Sequence, residues 1–163
     1  VTGNGNAVSG PYFNISTPEP TGVVAAVAPQ GAASESSGLL GLVSVIAPVL
    51  VSGNTVVVIA SESMPLPAIS LAEVLATSDV PGGVANILTG SPAEIAPWLA
   101  SPADVNALDL AGAGAMEWVD LQIAAADTLK RVLPPEQGVP APALDRIQFF
   151  TETKTVWHPK GII

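Results

Sequence analysis

The sequence predicts an α/β fold in which a five-stranded parallel β-sheet carries helices on both faces. Hydrophobic residues make up 48% of the 163 residues, against 12% charged and 4% aromatic. A core of small and branched aliphatic side chains is typical of strands that are buried on both faces. Short aliphatic runs also alternate with segments of helical periodicity across short connections, which indicates strand–helix–strand units. The length suits one domain with a sizeable core.

Two continuous runs of small and β-branched apolar residues, 23–28 and 55–60, predict buried strands. Three shorter segments that also contain polar residues predict the remaining strands. The first run ends at Pro29, and the turn Pro81-Gly82-Gly83 precedes the third. In chain order the predicted strands are residues 23–28, 55–60, 84–88, 105–110 and 129–133.

Four segments between these runs predict helices. Gly53-Asn54 terminates the first, as glycine and asparagine commonly do. Ser63 before Pro65 starts the second, since proline is favoured in a first helical turn. Ser91-Pro92-Ala93-Glu94 has the spacing of a capping box at the start of the third. In chain order the predicted helices are residues 39–50, 65–78, 91–100 and 113–126.

The two ends of the chain differ from this alternating domain, which we place at residues 22–133. Residues 1–21 are polar and rich in glycine and asparagine, and predict an extended N-terminal arm. Residues 134–143 are dense in proline and predict a linker to a C-terminal segment, residues 144–163. Period-2 alternation predicts a strand over residues 147–157. A bare strand edge is an aggregation hazard, so we expect this strand to pair with the arm or with another subunit.

Composition excludes several classes of function. A net charge of −9 with only five Lys and Arg residues argues against nucleic-acid binding. The longest apolar run contains Pro48 and is shorter than the roughly 18 residues of a membrane span. The sequence has no cysteine and one histidine, His158, which excludes a disulfide scaffold and a zinc site. We expect a cytoplasmic protein, and the start at Val1 leaves open that residues precede it.

Four stretches carry long motifs of one enzyme family. They are Glu19-Pro20-Thr21-Gly22-Val23-Val24, Ala47-Pro48 followed by Ser52-Gly53-Asn54-Thr55-Val56-Val57-Val58, Ser61-Glu62 with Pro65-Leu66, and Val80-Pro81-Gly82-Gly83-Val84-Ala85-Asn86-Ile87-Leu88-Thr89-Gly90. The last is the most specific and resembles the Leu-Pro-x-Gly-Val-x-Asn-x-x-x-Gly pattern of aldehyde dehydrogenases. The likeness continues to Val132 and implies a Rossmann-like, NAD-binding domain.

The C-terminal segment extends the resemblance. Phe149-Phe150-Thr151-Glu152-Thr153-Lys154-Thr155-Val156-Trp157 is similar to the strand by which aldehyde dehydrogenases pair their subunits. Together with the N-terminal arm it implies a small β oligomerisation unit built from both termini. Nothing between Pro134 and Leu144 corresponds to the family's catalytic domain. The chain therefore resembles the shortened, cysteine-less second module of two-module aldehyde dehydrogenases.

The resemblance leaves no catalytic residue. The family's nucleophile is a cysteine thiolate, and this sequence has no cysteine. The asparagine that stabilises the oxyanion falls at Gly31 or Ser36, depending on the direction of counting. The general-base glutamate falls at Pro135, with Glu136 one place away in the linker. We therefore assign no catalytic role to any of these positions.

A residual cofactor site is implied at three positions. Glu62 stands where the family binds a ribose hydroxyl, and Gly112 would still permit close backbone approach to the cofactor. Gly90 is the last residue of the most specific family motif. A lone acid after a strand is, however, more often a solvated residue. The family's adenosine-binding lysine falls at Ile59, which cannot donate a hydrogen bond. The sequence therefore predicts weak NAD(P) binding at most, and no metal.

Three hypotheses for the function follow. The first is a catalytically inactive module that pairs with itself or with an active aldehyde dehydrogenase through its terminal strands. The second is a module that binds NAD(P) and senses or retains it. The third is a fragment or subunit of an active aldehyde oxidoreductase whose cysteine lies elsewhere.

Overall fold

A computed structural model describes residues 3–30 and 35–161, and for residues 35–37 it describes the backbone alone. The described chain forms eight strands and five helices. In chain order they are β1 (Asn4–Asn6), β2 (Tyr12–Pro20), β3 (Val23–Val27), α1 (Glu35–Val51), β4 (Thr55–Ile59), α2 (Leu66–Ala76), β5 (Ala85–Leu88), α3 (Pro92–Ala100), β6 (Ala107–Asp109), α4 (Trp118–Ala126), β7 (Arg131–Leu133), α5 (Leu144–Phe149) and β8 (Thr151–Pro159).

The five predicted strands form one parallel sheet in the order β5-β4-β3-β6-β7. The chain starts at the centre with β3, builds outward through β4 and β5, and then returns to add β6 and β7 on the other side. The strand order therefore reverses beside β3. In sheets of this kind, ligands bind where the order reverses, beyond the carboxyl ends of the strands. The predicted α/β class with a parallel sheet is confirmed.

Alternate residues of each strand enter two different cores. Val24 and Ala26 of β3 pack with α1, α2 and Phe150 on one face of the sheet. Ala25 and Val27 pack on the opposite face with residues of α3 and α4. All four are buried, so β3 has no solvent-facing side, which explains its unbroken apolar sequence.

The two termini form a second, antiparallel sheet in the order β1-β2-β8. Strands β2 and β8 pair over their full length, from Tyr12 opposite Pro159 to Pro20 opposite Thr151. Strand β1 adds three residues to the outer side of β2. The small β unit expected from both ends of the chain is therefore present.

The C-terminal strand begins later than the sequence predicts. A strand was expected over residues 147–157, but α5 spans Leu144–Phe149 and β8 starts at Thr151. Arg146 lies within this helix, and Phe150 is the residue that caps its C-terminal end. Both side chains are buried, at 7% and 0% exposure. Their burial against the sheet overrides the local period-2 alternation.

Two other predicted boundaries were also wrong. The helix expected from residue 113 begins at Trp118, because turns occupy the preceding segment and the Met116 N–H donates to the Ala113 carbonyl at 2.9 Å. The strand expected from residue 129 begins at Arg131, because Leu129 adopts a positive φ of 55° that a strand does not allow.

The predicted capping box does not form at the start of α3. Ser91 occupies the N-cap position, but its side chain makes no capping hydrogen bond. Its backbone carbonyl instead accepts hydrogen bonds from the N–H groups of Glu94 and Ile95, both at 3.1 Å. Within residues 3–30 and 35–161, no helix combines the length and the apolar character needed to cross a bilayer.

Candidate functional site

A cavity of about 390 Å³ lies at the carboxyl end of the parallel sheet, in the region where the strand order reverses. We call it the strand-end cavity. Its lining comes from the segments that follow β3, β4, β5 and β6, which a parallel sheet brings to one edge. The lining residues are Gln30, Glu62, Ser63, Ser91, Pro92, Ala93, Gly112, Ala115 and Met116. Two of the three predicted cofactor residues, Glu62 and Gly112, are therefore brought together.

Gln30 connects two of the segments that line this cavity through hydrogen bonds. Its Nε2 donates to the Ala28 carbonyl at 2.6 Å, and its Oε1 accepts the Glu62 N–H at 2.9 Å. Its carbonyl accepts hydrogen bonds from the hydroxyls of Ser61 and Ser63, at 3.3 and 3.2 Å. Gln30 thus ties the end of β3 to the segment after β4. The sequence reading missed this role, although a polar residue directly after a buried strand was the available signal.

Glu62 lies exposed at the rim of the strand-end cavity. Its backbone is fixed by Gln30, so the position of the residue is well defined. A carboxylate here can accept a hydrogen bond from a sugar hydroxyl. It also places a negative charge beside any phosphate that enters the cavity.

Gly112 is required by packing within the chain. A Cβ at this position would lie 1.8 Å from the Ala28 carbonyl oxygen, and the Gly112 N–H donates to the Val27 carbonyl at 2.9 Å. The close backbone approach that glycine permits is therefore to β3 and the residue after it. The glycine lines the cavity, but the end of β3 already accounts for its lack of a side chain.

Gly90 lies in the turn before Ser91 and has a φ of 141°, which side chains rarely adopt. A Cβ there would also lie 3.1 Å from Ile95 Cδ1. Gly90 therefore shapes the connection between β5 and α3, one residue away from the cavity lining.

The lining fits part of a dinucleotide. Glu62 can hold a ribose hydroxyl, but none of the described lining residues is a lysine or arginine that could neutralise a pyrophosphate. Ile59, at the position of the family's lysine, is fully buried in the core beneath the strand ends. The described lining therefore offers an acceptor for a ribose hydroxyl but no cationic side chain for the phosphates of NAD(P).

Only some of the positions of the family's catalytic groups lie among the described residues. Gly31 lies outside the described residues, as does the side chain of Ser36. Glu136 is held by Arg146 through an ion pair. His158 is exposed in β8. Within residues 3–30 and 35–161, no group of three or more histidine, cysteine or acidic residues could hold a metal ion.

A buried ionic cluster joins α5 to the parallel sheet. Arg146 Nη2 pairs with Asp109 Oδ2 at the end of β6, and its Nη1 pairs with Glu136 Oε1. Asp109 is fully buried and also accepts the Ala111 N–H at 3.1 Å. Burial raises the pKa of Asp109, although the guanidinium of Arg146 opposes that rise. The sequence reading missed this cluster, for which the signal was a single acid inside an apolar strand.

A second cavity, of about 710 Å³, lies between α1 and residues 139–147. Its lining is almost entirely apolar, and it contains none of the predicted site residues. The strand-end cavity therefore remains the candidate site.

Comparison with known proteins identifies the family to which this chain is similar. A sequence model described as the aldehyde dehydrogenase family matches residues 2–139. A mitochondrial aldehyde dehydrogenase of Leishmania tarentolae is 33% identical over 124 residues, which cover 76% of this chain and 24% of that protein. A 3-sulfolactaldehyde dehydrogenase of Priestia megaterium is 37% identical over 94 residues, covering 57% of this chain and 18% of the relative.

Solved structures of aldehyde dehydrogenases also superpose on this chain. The crystal structure of a putative aldehyde dehydrogenase from Burkholderia cenocepacia superposes with a TM-score of 0.70 at 29% identity, covering 81% of this chain and 26% of that one. An aldehyde dehydrogenase from Brucella melitensis biovar abortus superposes at 0.64 with 26% identity, over 81% and 26% of the two chains. The chain spans about a quarter of the length of these relatives.

Proposed function

The chain belongs to the aldehyde dehydrogenase family, and on that premise we propose that it acts as a non-catalytic structural or regulatory subunit. It pairs with itself or with an active NAD-dependent aldehyde dehydrogenase. The observation that carries the proposal is the lack of any cysteine in a sequence that retains the family's sheet. Covalent catalysis on an aldehyde needs an activated nucleophile, which in this family is a thiolate.

The remaining side chains support the same conclusion. The single histidine lies exposed in β8, in a different sheet from the strand-end cavity. Glu136 forms an ion pair with Arg146 and does not line that cavity. A nucleophilic side chain is activated by an adjacent general base, by a lowered pKa or by a metal ion. The described residues around the cavity include the hydroxyls of Ser63 and Ser91 and the carboxylate of Glu62, but no thiol and no histidine.

The terminal sheet supports a role in pairing. Strands β2 and β8 form a nine-residue ribbon built from the two ends of the chain. Exposed aromatic side chains, Tyr12, Phe13 and Trp157, lie near one end of the ribbon. Aromatic side chains are enriched at protein interfaces, since they bury a large area at low entropic cost.

One observation favours the second function, NAD(P) binding. The strand-end cavity is retained at the place where sheets of this type bind nucleotides, and Glu62 stands at its rim. The described lining holds no cation for the phosphates, so we expect this binding to be weak. Binding and sensing of NAD(P) is therefore the second candidate function.

The test combines assembly and activity. We expect sedimentation of the purified chain to give a dimer or larger species and to show no aldehyde-dependent formation of NADH. Co-expression with a full-length, cysteine-containing dehydrogenase of the family is the second arm, read by the mass of the purified complex. A chain that is monomeric alone, and that also forms no complex with the dehydrogenase, would contradict the proposal.

A further inference from the structure

The larger of the two cavities lies outside the candidate site. Its volume is about 710 Å³, within the range of roughly 300–1,000 Å³ that is usual for small-molecule sites. Helix α1 forms one wall, and residues 139–147, which lead into α5, form the other. We call it the α1 cavity. Neither pairing through the terminal strands nor NAD(P) binding involves it.

The lining of the α1 cavity is aliphatic. Twelve of its fourteen described lining residues are alanine, valine, leucine, isoleucine or proline, and none of them is aromatic. Exposed apolar side chains that gather around one concavity mark a binding site. Because no aromatic ring is present to stack on a flat ligand, this surface favours a flexible aliphatic chain. The large apolar lining residues that are exposed are Leu40, Val43, Val51, Val139 and Leu144.

The length of the cavity sets the length of such a chain. Leu40 and Val51 both line it, and their eleven-residue separation on α1 corresponds to about 16 Å at 1.5 Å per residue. An extended chain of single bonds advances about 1.2 Å per bond, since three backbone bonds span up to roughly 3.6 Å. The cavity therefore matches a chain of about 10–13 carbons.

Arg146 provides a polar group at this apolar surface. Only Ser44 and Arg146 have polar side chains among the described lining residues, and the Ser44 hydroxyl already donates to the Gly41 carbonyl at 2.7 Å. Arg146 is 7% exposed and donates to acids through both Nη atoms, but its buried Nε–H has no hydrogen-bond partner among the described residues. A buried donor without an acceptor is costly. A ligand oxygen can supply the acceptor after a side-chain adjustment, which is common on binding.

The ionic cluster around Arg146 determines the charge of the ligand. Its one guanidinium already pairs with two carboxylates, those of Asp109 and Glu136. A third carboxylate would enter an apolar cavity without a counter-ion, which is strongly unfavourable. An ammonium group would meet the guanidinium of Arg146, which carries the same charge. An uncharged oxygen is therefore the head group that suits this cavity.

We propose that the α1 cavity binds an uncharged, single-chain aliphatic molecule of roughly 10–13 carbons with a hydroxyl at one end, such as a fatty alcohol. The chain lies between α1 and residues 139–143, and the hydroxyl oxygen accepts from Arg146 Nε. Such binding needs neither a partner subunit nor NAD(P), so it goes beyond the proposed function and is independent of it.

A series of alcohols tests the apolar part of the site. Equilibrium dialysis of the full chain against straight-chain alcohols, from hexanol to dodecanol, gives the Kd of each. We expect one site per chain and a Kd that falls about fourfold for each added CH₂ up to decanol, since each buried CH₂ contributes a similar increment. Binding that does not saturate, or a Kd that is equal for hexanol and decanol, would overturn the proposal.

Charged analogues of the same chain length test the head group. Near neutral pH, decanoate is an anion and decylammonium is a cation, whereas decanol is uncharged. We expect each ion to bind at least about tenfold more weakly than decanol. An affinity for either ion that equals or exceeds that for decanol would contradict the proposed class of ligand.

A cavity-filling variant locates the site. Ala47 lines the cavity and is exposed, so Ala47→Phe places a ring there without entering the core. Ala126→Phe is the matched control, because Ala126 is an exposed alanine of α4 that does not line the cavity. We expect Ala47→Phe to weaken decanol binding at least about tenfold and Ala126→Phe to leave it unchanged. Val43→Trp fills the same cavity from a second position and is used if circular dichroism shows that Ala47→Phe does not fold.

The outcomes separate this inference from the proposed function. If Ala47→Phe binds decanol as tightly as wild type, the alcohol binds elsewhere and the inference is wrong. If wild type binds no alcohol, and Ala47→Phe is a monomer where wild type is a dimer, the cavity is a contact between copies and the inference is also wrong. Sedimentation and the NADH assay, both without alcohol, decide the proposed function in either case.

Discussion

Arg146 is expected to be the side chain on which the attachment of α5 depends most. It is 7% exposed and forms ion pairs with the fully buried Asp109 and with Glu136. The variant Arg146→Met keeps most of the side-chain volume but removes the charge. Asp109 is then left buried without its counter-ion, which typically costs about 3–5 kcal/mol.

Protonation of Asp109 sets an upper limit on this cost. An uncompensated buried carboxylate escapes its penalty by taking up a proton. From a usual pKa of about 3.9, protonation at pH 7 costs about 4 kcal/mol at roughly 1.36 kcal/mol per unit. Because the pKa of Asp109 is already raised in the wild type, the charge contribution is smaller than that figure. For a chain of this size, a loss of about 2–3 kcal/mol lowers the Tm by roughly 5–10 °C.

Urea denaturation, followed by circular dichroism, measures the effect. We expect Arg146→Met to lower the midpoint strongly, and the double variant Asp109→Leu/Arg146→Met to recover to within about 1 kcal/mol of wild type, because an apolar pair can replace a buried ion pair. Arg131→Met is the matched control, since its pair with Glu152 is exposed and worth about 1 kcal/mol or less. A loss below about 1 kcal/mol for Arg146→Met, or no recovery in the double variant, would refute the reasoning.

Three further predictions concern the sheet and the candidate site. Gly112→Ala should lower the Tm by several degrees, because the new Cβ would lie 1.8 Å from the Ala28 oxygen. A Cβ at Gly82 meets nothing within 4 Å, so the control variant Gly82→Ala should change the Tm little. Equal Tm values for the two variants would contradict this prediction. The raised pKa of Asp109 means that its stabilising contribution is present when it is protonated and is lost as the pH rises through that pKa. The stability of wild type relative to Asp109→Asn, from urea midpoints, should therefore fall from about pH 4 upward, and a rise would reverse the assigned sign. Calorimetry should show NAD(P) affinity weaker than micromolar, since a lost charge-assisted hydrogen bond alone costs about one to two powers of ten; a micromolar or tighter complex would favour the sensing function.

The parallel sheet was predictable because each of its strands is defined locally. Residues 23–28 and 55–60 are continuous apolar runs, and the structure places β3 and β4 within them. The C-terminal segment was not predictable in the same way. Whether residues 144–149 form a helix depends on Arg146 reaching Asp109, which is 37 residues away along the chain. No local pattern contains that information.

The candidate site was predictable in position but not in the role of each residue. Glu62 and Gly112 line one cavity because both follow strands of the same parallel sheet. Glycine is needed at position 112 because a Cβ there would clash with Ala28. This contact exists only once the strands have packed together. Gln30 was overlooked because its importance comes from the hydrogen bonds it makes after folding.

The most direct test of the central claim is an assay of aldehyde oxidation by the purified chain. NADH formation is followed at high protein concentration with NAD or NADP and a series of short and long aliphatic aldehydes. A cysteine-containing dehydrogenase of the family serves as the positive control. We predict a rate equal to the protein-free background for every aldehyde, because the chain holds no thiol. Turnover comparable to that of the positive control would contradict the account.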